Sequence, residues 1–220
     1  MLSHKNLIKI LAFELEKNWL FKVKKVKLLS EFVNGDTLDN VKMPHRAKLL
    51  RVLEQVAQGL AHMHKHGVFH ADLKPNNILV GRGGVKIIDY GLAWIKGEPK
   101  NRVQGTPEYM APETASHKLI NERTDIYNFG ATMYRLATFE LPPSVMPELG
   151  VPMTEKMYKG MFRPVNEVAP ATPPAFCDLI HKCMAYNATK RPASIAEVQG
   201  VLDRLADAEE AKLSPDELES

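Results

Sequence analysis

Apolar residues recur along this chain with two different periods. Between Leu7 and Val33 they gather in short runs, Leu7 to Leu15 and Trp19 to Val33, parted by the polar stretch Glu16-Lys17-Asn18. Short apolar runs bounded by a polar turn predict strands. Asn34-Gly35-Asp36 then breaks the pattern. From Pro44 to His66 the spacing becomes helical: Leu49, Leu50, Leu53, Val56, Ala57, Leu60 and Met63 share one face, and Gly67 stands just past the end. Val68 to Val80 reads as a loop closing on an apolar run, Gly81 to Gly84 as a turn, and Val85 to Ile88 as a short buried strand.

Residues 89–113 hold Gly91, Gly97, Pro99, Gly105, Pro107 and Pro112, which predicts a long loop. Loops of that length inside compact domains are usually functional. Helical spacing resumes at 124–138, around 174–186, and from Ser194 to about Leu213. Ser194 with Glu197 three residues on reads as a capping box. The acidic tail after Ala206 is expected to fray. No internal repeat or low-complexity segment interrupts the pattern.

Composition narrows the class without changing this picture. At 220 residues, 45% of them hydrophobic and 25% charged, the chain fits one ordinary globular domain, or a domain and a stump. A net charge of +3 is too small, and its signs too mixed, to predict nucleic acid or a membrane surface as partner. No apolar run reaches eighteen residues, so no span is predicted. Lys9 interrupts the apolar N-terminus and Glu14 and Glu16 follow it, which argues against a signal peptide. Cys177 and Cys183 fall on different faces of one helical pattern and read as reduced buried thiols, suited to a reducing, cytoplasmic setting.

The chemistry gathers in His70-Ala71-Asp72-Leu73-Lys74-Pro75-Asn76-Asn77, followed by Asp89-Tyr90-Gly91. Phosphoryl transfer asks a protein for a carboxylate to orient the attacking hydroxyl, a cation over the moving phosphoryl group, and oxygen ligands for magnesium. An Asp, a Lys two residues later and an Asn five residues later supply these on one loop. A second Asp after a nearby strand can hold the remaining face of the metal.

These residues resemble the catalytic loop and metal-binding loop of protein kinases, H-R-D-L-x-x-x-x-N and D-F-G. On that resemblance Asp72 is the catalytic base, Lys74 the phosphate-contacting lysine, and Asn77 and Asp89 the magnesium ligands. Gly105-Thr106-Pro107-Glu108-Tyr109-Met110-Ala111-Pro112-Glu113 resembles the substrate-docking end of the activation segment, with Thr106 at the docking position. Asp125-Ile126-Tyr127-Asn128-Phe129-Gly130 resembles the following buried helix, whose Asp braces the catalytic loop, with His70 a further structural residue. Arg191 resembles the late arginine that pairs with the Glu of A-P-E, here Glu113. Lys74 with Thr106 matches the serine/threonine branch. At the start of the chain, Ser30-Glu31-Phe32-Val33 resembles the hinge. Glu31 and Val33 would offer backbone groups to adenine, and Leu79 would be the floor beneath it. Ser30 reads equally as the gatekeeper or as an ordinary strand residue.

The resemblance implies an α+β, protein-kinase-like fold with a mainly helical C-terminal lobe. Residues 1–33 are then a remnant of the small lobe with two or three strands, 34–206 the large lobe, and 207–220 an acidic tail. It implies ATP and Mg2+ as cofactors and a protein substrate. Three departures accompany it. The glycine-rich loop, the strand lysine and the regulatory-helix glutamate would all precede Met1, which implies an upstream segment or a partner that completes the small lobe. Ala71 replaces the arginine of H-R-D, making this a non-RD sequence, and Leu92 to Gly105 holds no Ser, Thr or Tyr. The phosphate receptor and its phosphate are thus absent together. Tyr90 replaces Phe. A pseudokinase acting as an interaction module is the alternative. A small-molecule phosphotransferase would share the H-x-D-x-x-x-x-N loop but not the G-T-P-E-Y-M-A-P-E segment. His62, His64 and His66 read either as part of a metal site or as a helix end leading into the catalytic loop. Trp94 reads as a ring packing its loop down or as a docking point.

Overall fold

A computed structural model of the chain describes residues 2–98, 102–146 and 151–218. Strands β1 (Ile10–Lys17) and β2 (Val23–Ser30) form an antiparallel hairpin. Register puts Phe13 opposite Leu28 and Leu15 opposite Val26 on one face. Glu14 opposite Lys27 and Glu16 opposite Lys25 fall on the other, as strand alternation requires. Glu16 and Lys17, expected in the turn, are the last residues of β1. The turn runs instead from Asn18 to Lys22, because the Asn18 side chain accepts from the amides of Leu20 and Lys22 at 3.0 and 2.9 Å.

Strand β3 (Gly35–Thr37) corrects the reading of Asn34-Gly35-Asp36 as a simple break. It pairs with β5 (Ile78–Gly81), which pairs with β6 (Gly84–Ile87), giving the order β3-β5-β6. Glycine is needed at 35 because a Cβ there would lie 2.4 Å from the Val80 carbonyl oxygen. Two residues each of β4 (Val68–Phe69) and β7 (Trp94–Ile95) make a third small sheet, so the loop predicted over 89–113 carries a strand of its own. Residues 99–101 of that loop lie outside the described residues.

Helix α1 (Arg46–Lys65) is capped by His45 and ends before Gly67, whose φ of +68° suits glycine. Its predicted apolar face is buried: Leu50, Leu53, Val56, Ala57, Leu60 and Met63 are inaccessible to solvent, while Leu49 is half-buried. After the short α2 (Pro112–His117), α3 (Glu122–Thr138) is buried almost all round, with Ile126, Tyr127, Phe129, Ala131 and Met133 in the core. A helix buried on nearly every side belongs at the centre of its lobe, and its buried polar residues Thr124, Asp125, Asn128 and Thr132 are hydrogen-bonded there. Gly130 permits that, since a Cβ there would stand 2.7 Å from the Cys183 Cβ on α6 (Pro174–Cys183). Helices α4 (Glu155–Met161) and α5 (Val165–Val168) flank it.

Helix α7 (Ile195–Glu210) packs along α1 through Val198, Leu202 and Ala206. Half of its expected capping box forms: Ser194 Oγ accepts from the Glu197 amide at 3.4 Å, but Glu197 returns to the amide of Ala193, not that of Ser194. The expectation of a tail fraying after Ala206 is corrected as far as Glu210. Arg51 on α1 reaches Asp203, Asp207 and Glu210, and Arg46 reaches Glu209, so the acidic residues hold the helix against α1. A short α8 (Pro215–Leu218) follows. Cys177 and Cys183 are free and buried, and burial pushes the Cys183 thiol up to about 12.

Candidate active site

The catalytic-loop candidates are held from beneath by one carboxylate. Asp125, fully buried in the first turn of α3, accepts from the backbone amides of His70 and Ala71 at 2.8 Å each. It also pairs with His64 Nε2 at 2.8 Å. Ala71 sits at φ +66°, in the left-handed region that costs an alanine roughly 1–2 kcal/mol. The two amide bonds accepted by Asp125 offset that strain and turn the loop so that Asp72 follows. His70, itself fully buried, places its ring nitrogen Nε2 3.1 Å from the Ile88 carbonyl oxygen, next to Asp89.

Asp72, Lys74 and Thr106 meet although 34 residues separate the first from the last. Asp72 Oδ1 accepts from the Thr106 amide at 2.8 Å, and its Oδ2 lies 3.4 Å from Lys74 Nζ. Lys74 Nζ donates to Thr106 Oγ1 at 2.7 Å. A carboxylate, an ammonium and a hydroxyl are thus linked where the activation-segment motif crosses the loop. Asn77 commits its amide nitrogen to the Asp72 carbonyl oxygen at 2.9 Å, leaving its amide oxygen as the group a cation can take. The Ile88 amide donates to the Asn77 carbonyl oxygen at 2.9 Å, which ties the Asn77 segment to the one that carries Asp89. Asp89 is exposed at φ +61°, with its carboxylate accepting from the Gly91 amide at 3.1 Å. One amide oxygen and one carboxylate are hard oxygen donors, a set that suits Mg2+ completed by water and phosphate.

Tyr90, in place of Phe, lays its ring edge-on to His70 and points its hydroxyl at the carbonyl oxygens of Ile8 and Ile87, 3.3 and 3.2 Å away. Glu113 and Arg191 form a two-pronged pair, 2.7 and 2.8 Å, with the arginine side chain fully buried. That guanidinium also donates to three carbonyl oxygens and lies over the Tyr127 ring. At the hinge candidates, Val33 and Leu79 are half-buried, Ser30 is exposed, and Leu79 pairs with Thr37 and Lys86 across the sheet.

Three contacts carry no local sequence signal. His64 meets Asp125 from 61 positions away, Lys86 Nζ meets Glu31 at 2.6 Å from 55, and Arg123 gathers the carbonyl oxygens of Ala188, Arg191 and Pro192. Of the three histidines, His64 belongs to the brace, whereas His62 stacks on His4 and touches His66. No metal-holding group of His, Cys, Asp and Glu occurs among the described residues. Trp94 donates its indole N–H to the Glu98 carbonyl oxygen at 3.0 Å within its own segment.

The family described as the protein kinase domain matches residues 1–201. This chain belongs to the protein kinase family. A probable serine/threonine-protein kinase of Dictyostelium discoideum is 28% identical over 213 residues, covering 93% of this chain and 48% of that protein. A serine/threonine-protein kinase of Myxococcus xanthus is 33% identical over 223 residues, 91% of this chain and 40% of its own length. Another, PknB of Mycolicibacterium smegmatis, is 28% identical over 191 residues, 81% of this chain and 30% of its own length. The kinase chain therefore spans half or less of the length of these relatives. Its α+β architecture is that of the family, whose members use ATP and Mg2+. No helix among its described residues is long and apolar enough to cross a membrane.

Proposed function

We propose that this protein is a serine/threonine protein kinase of the cytoplasm that transfers the γ-phosphate of ATP to Ser or Thr hydroxyls of a protein substrate. The observation that carries the reading is the Asp72–Lys74–Thr106 cluster on a loop braced by Asp125. Asp72 accepts the proton of the attacking hydroxyl, and Lys74 holds negative charge on the moving phosphoryl group. Asn77 and Asp89 would hold a magnesium ion, which would supply positive charge to neutralise the phosphates. Thr106 positions the substrate segment beside Asp72. Glu31, Val33 and Leu79 take the adenine end. His70, Glu113, Asp125 and Arg191 keep the loops in place.

The glycine-rich loop and its lysine would come from an upstream segment or a partner. A pseudokinase reading gains from one observation, the hairpin β1–β2, whose apolar side chains stand exposed. The retained Asp72, Lys74, Asn77 and Asp89 favour transfer. Because Ala71 offers no guanidinium and no hydroxyl lies between Tyr90 and Thr106, activation needs no phosphate in that interval.

Asp72→Asn in the full-length protein tests the proposal. Positioned bases contribute about 10²–10⁴-fold, so turnover should fall within that range while MgATP binding persists. Unchanged turnover would reject Asp72 as the base, and absent turnover in a wild-type protein that binds MgATP would favour the pseudokinase. Mass mapping of active protein should find no phosphosite between Tyr90 and Thr106.

A further inference from the structure

Lys86 is outside every motif that marks this chain as a kinase, yet it joins two parts of the nucleotide site. It sits on β6, three residues before Asp89. Its ammonium lies 2.6 Å from Glu31 Oε1 and 3.5 Å from the Leu7 carbonyl oxygen. The same carboxylate oxygen accepts from the Lys9 amide at 2.9 Å, and the Glu31 amide donates to the Lys9 carbonyl oxygen at 2.9 Å. Glu31 is therefore held on both its backbone and its side chain. Both members of the ion pair are partly buried, with 19% and 29% of their side chains exposed. The hydrogen bond from Lys86, followed by the one from the Lys9 amide, holds the Glu31 carboxyl below its ordinary value, so the carboxylate stays charged.

We propose that Lys86 is a positioning residue for nucleotide binding: through Glu31 it fixes the distance between the hinge that takes adenine and the β6 end that carries Asp89. This rests on the kinase reading above. Lys86 itself contacts neither adenine nor phosphate. On that reading the Glu31 backbone meets the base, while its carboxylate is held by Lys86 and the Lys9 amide. A single ion pair near the surface contributes little by itself. Here the pair closes a ring through Lys9, so what it contributes is a fixed span more than stability. A ligand that touches both ends of the site should feel that span, and one that touches a single end should not.

The test compares Lys86→Met with Lys86→Arg in the full-length protein. Lys86→Met should weaken MgATP binding, and raise the KM for ATP, by about fivefold. The affinity for adenosine and kcat should stay as in wild type, and Lys86→Arg should restore MgATP binding. Hydrogen exchange at the Glu31 amide, measured without nucleotide, should speed up in Lys86→Met by a similar factor. Equal losses for adenosine and MgATP would overturn the proposal, as would a rise in kcat or an unchanged Glu31 amide. A wild-type protein that binds no MgATP would overturn the kinase reading and the spanning role together. The exchange measurement would still decide whether Lys86 holds the hinge.

Discussion

Leu28 and Leu60 carry the same side chain in opposite circumstances. Leu28, on β2, is 65% exposed in a hairpin where Phe13, Trp19 and Phe21 are more than half exposed as well. Leu60, on α1, has no accessible surface and lies in a core that runs from α1 through α3 and α6 to α7. The hairpin has register and a salt-bridged face, yet its other, apolar face stays largely exposed, Phe13, Val26 and Leu28 by more than half. A two-stranded hairpin is marginal in water unless something packs on it. Backbone pairing can thus define a local shape, but burial is what holds it. The Asp72–Lys74–Thr106 cluster stands on the buried region, whereas Glu31 follows directly on the exposed hairpin.

The largest test of the contrast removes a buried charge from the helical lobe. Arg191→Ala leaves Glu113 unpaired, with only 13% of its side chain exposed, and strips donors from three carbonyl oxygens. Breaking such a pair costs about 3–5 kcal/mol. Chemical denaturation followed by far-ultraviolet circular dichroism should lose that much, and a loss below 1 kcal/mol would show that the lobe does not depend on the pair.

Matched truncations sharpen the contrast next. Leu60→Ala should cost about 2–5 kcal/mol, the range for a buried leucine that leaves a cavity. Leu28→Ala should fall within about ±0.5 kcal/mol, as exposed positions do. Equal losses measured by the same denaturation would mean that the face bearing Leu28 is covered in solution.

The same division marks what could be read from the sequence. The α1 face and the helix over 124–138 follow from helical spacing, and the strands of the hairpin from two apolar runs parted by a polar stretch. Strand β3 left none: three residues beginning with a glycine look like a turn, and only the Val80 carbonyl oxygen 2.4 Å from a would-be Cβ explains the choice. The tail reads as frayed because the acidic residues after Ala206 look solvated, while Arg51, the partner of Asp207 and Glu210, lies 156 and 159 positions earlier. Asp72, Lys74, Asn77 and Asp89 stand in short motifs and are legible by resemblance. His64, Lys86 and Arg123 act through contacts across the fold, for which a single sequence holds no marker.

A third prediction uses pH. Burial pushes His64 down, but its bond to Asp125 and the charges of Asp125 and Glu122 outweigh that, so its folded value lies above the ordinary 6.5. The sign follows: the stabilisation is complete below pH 6.5 and is lost as pH rises through the folded value. Removing the imidazole with His64→Gln should cost about 1.5–3 kcal/mol at pH 6, as for a hydrogen bond to a charged group, and less at pH 9. A stability difference between wild type and variant that does not change with pH would show that the His64 ring is neutral throughout.

The smallest effect belongs to the charged face of the hairpin. Lys27 stands 2.5 Å from Glu16 and 3.4 Å from Glu14, with all three side chains at least 41% exposed. Exposed pairs are screened by water and salt and contribute about 0.2–1 kcal/mol. If the hairpin lacks burial, this face is among the few attractions across its strands. Lys27→Ala should then leave global unfolding unchanged while speeding local amide exchange over Ile10–Lys17 by less than about fivefold. The difference between variant and wild type should vanish in 1 M salt, where the screening length falls to about 3 Å. Strong protection of the wild-type hairpin that persists in high salt would mean that ions do not hold it. The apolar face of Phe13, Leu15, Val26 and Leu28 would then have to be buried against another surface, and the contrast between the two regions would be one of partner, not of packing.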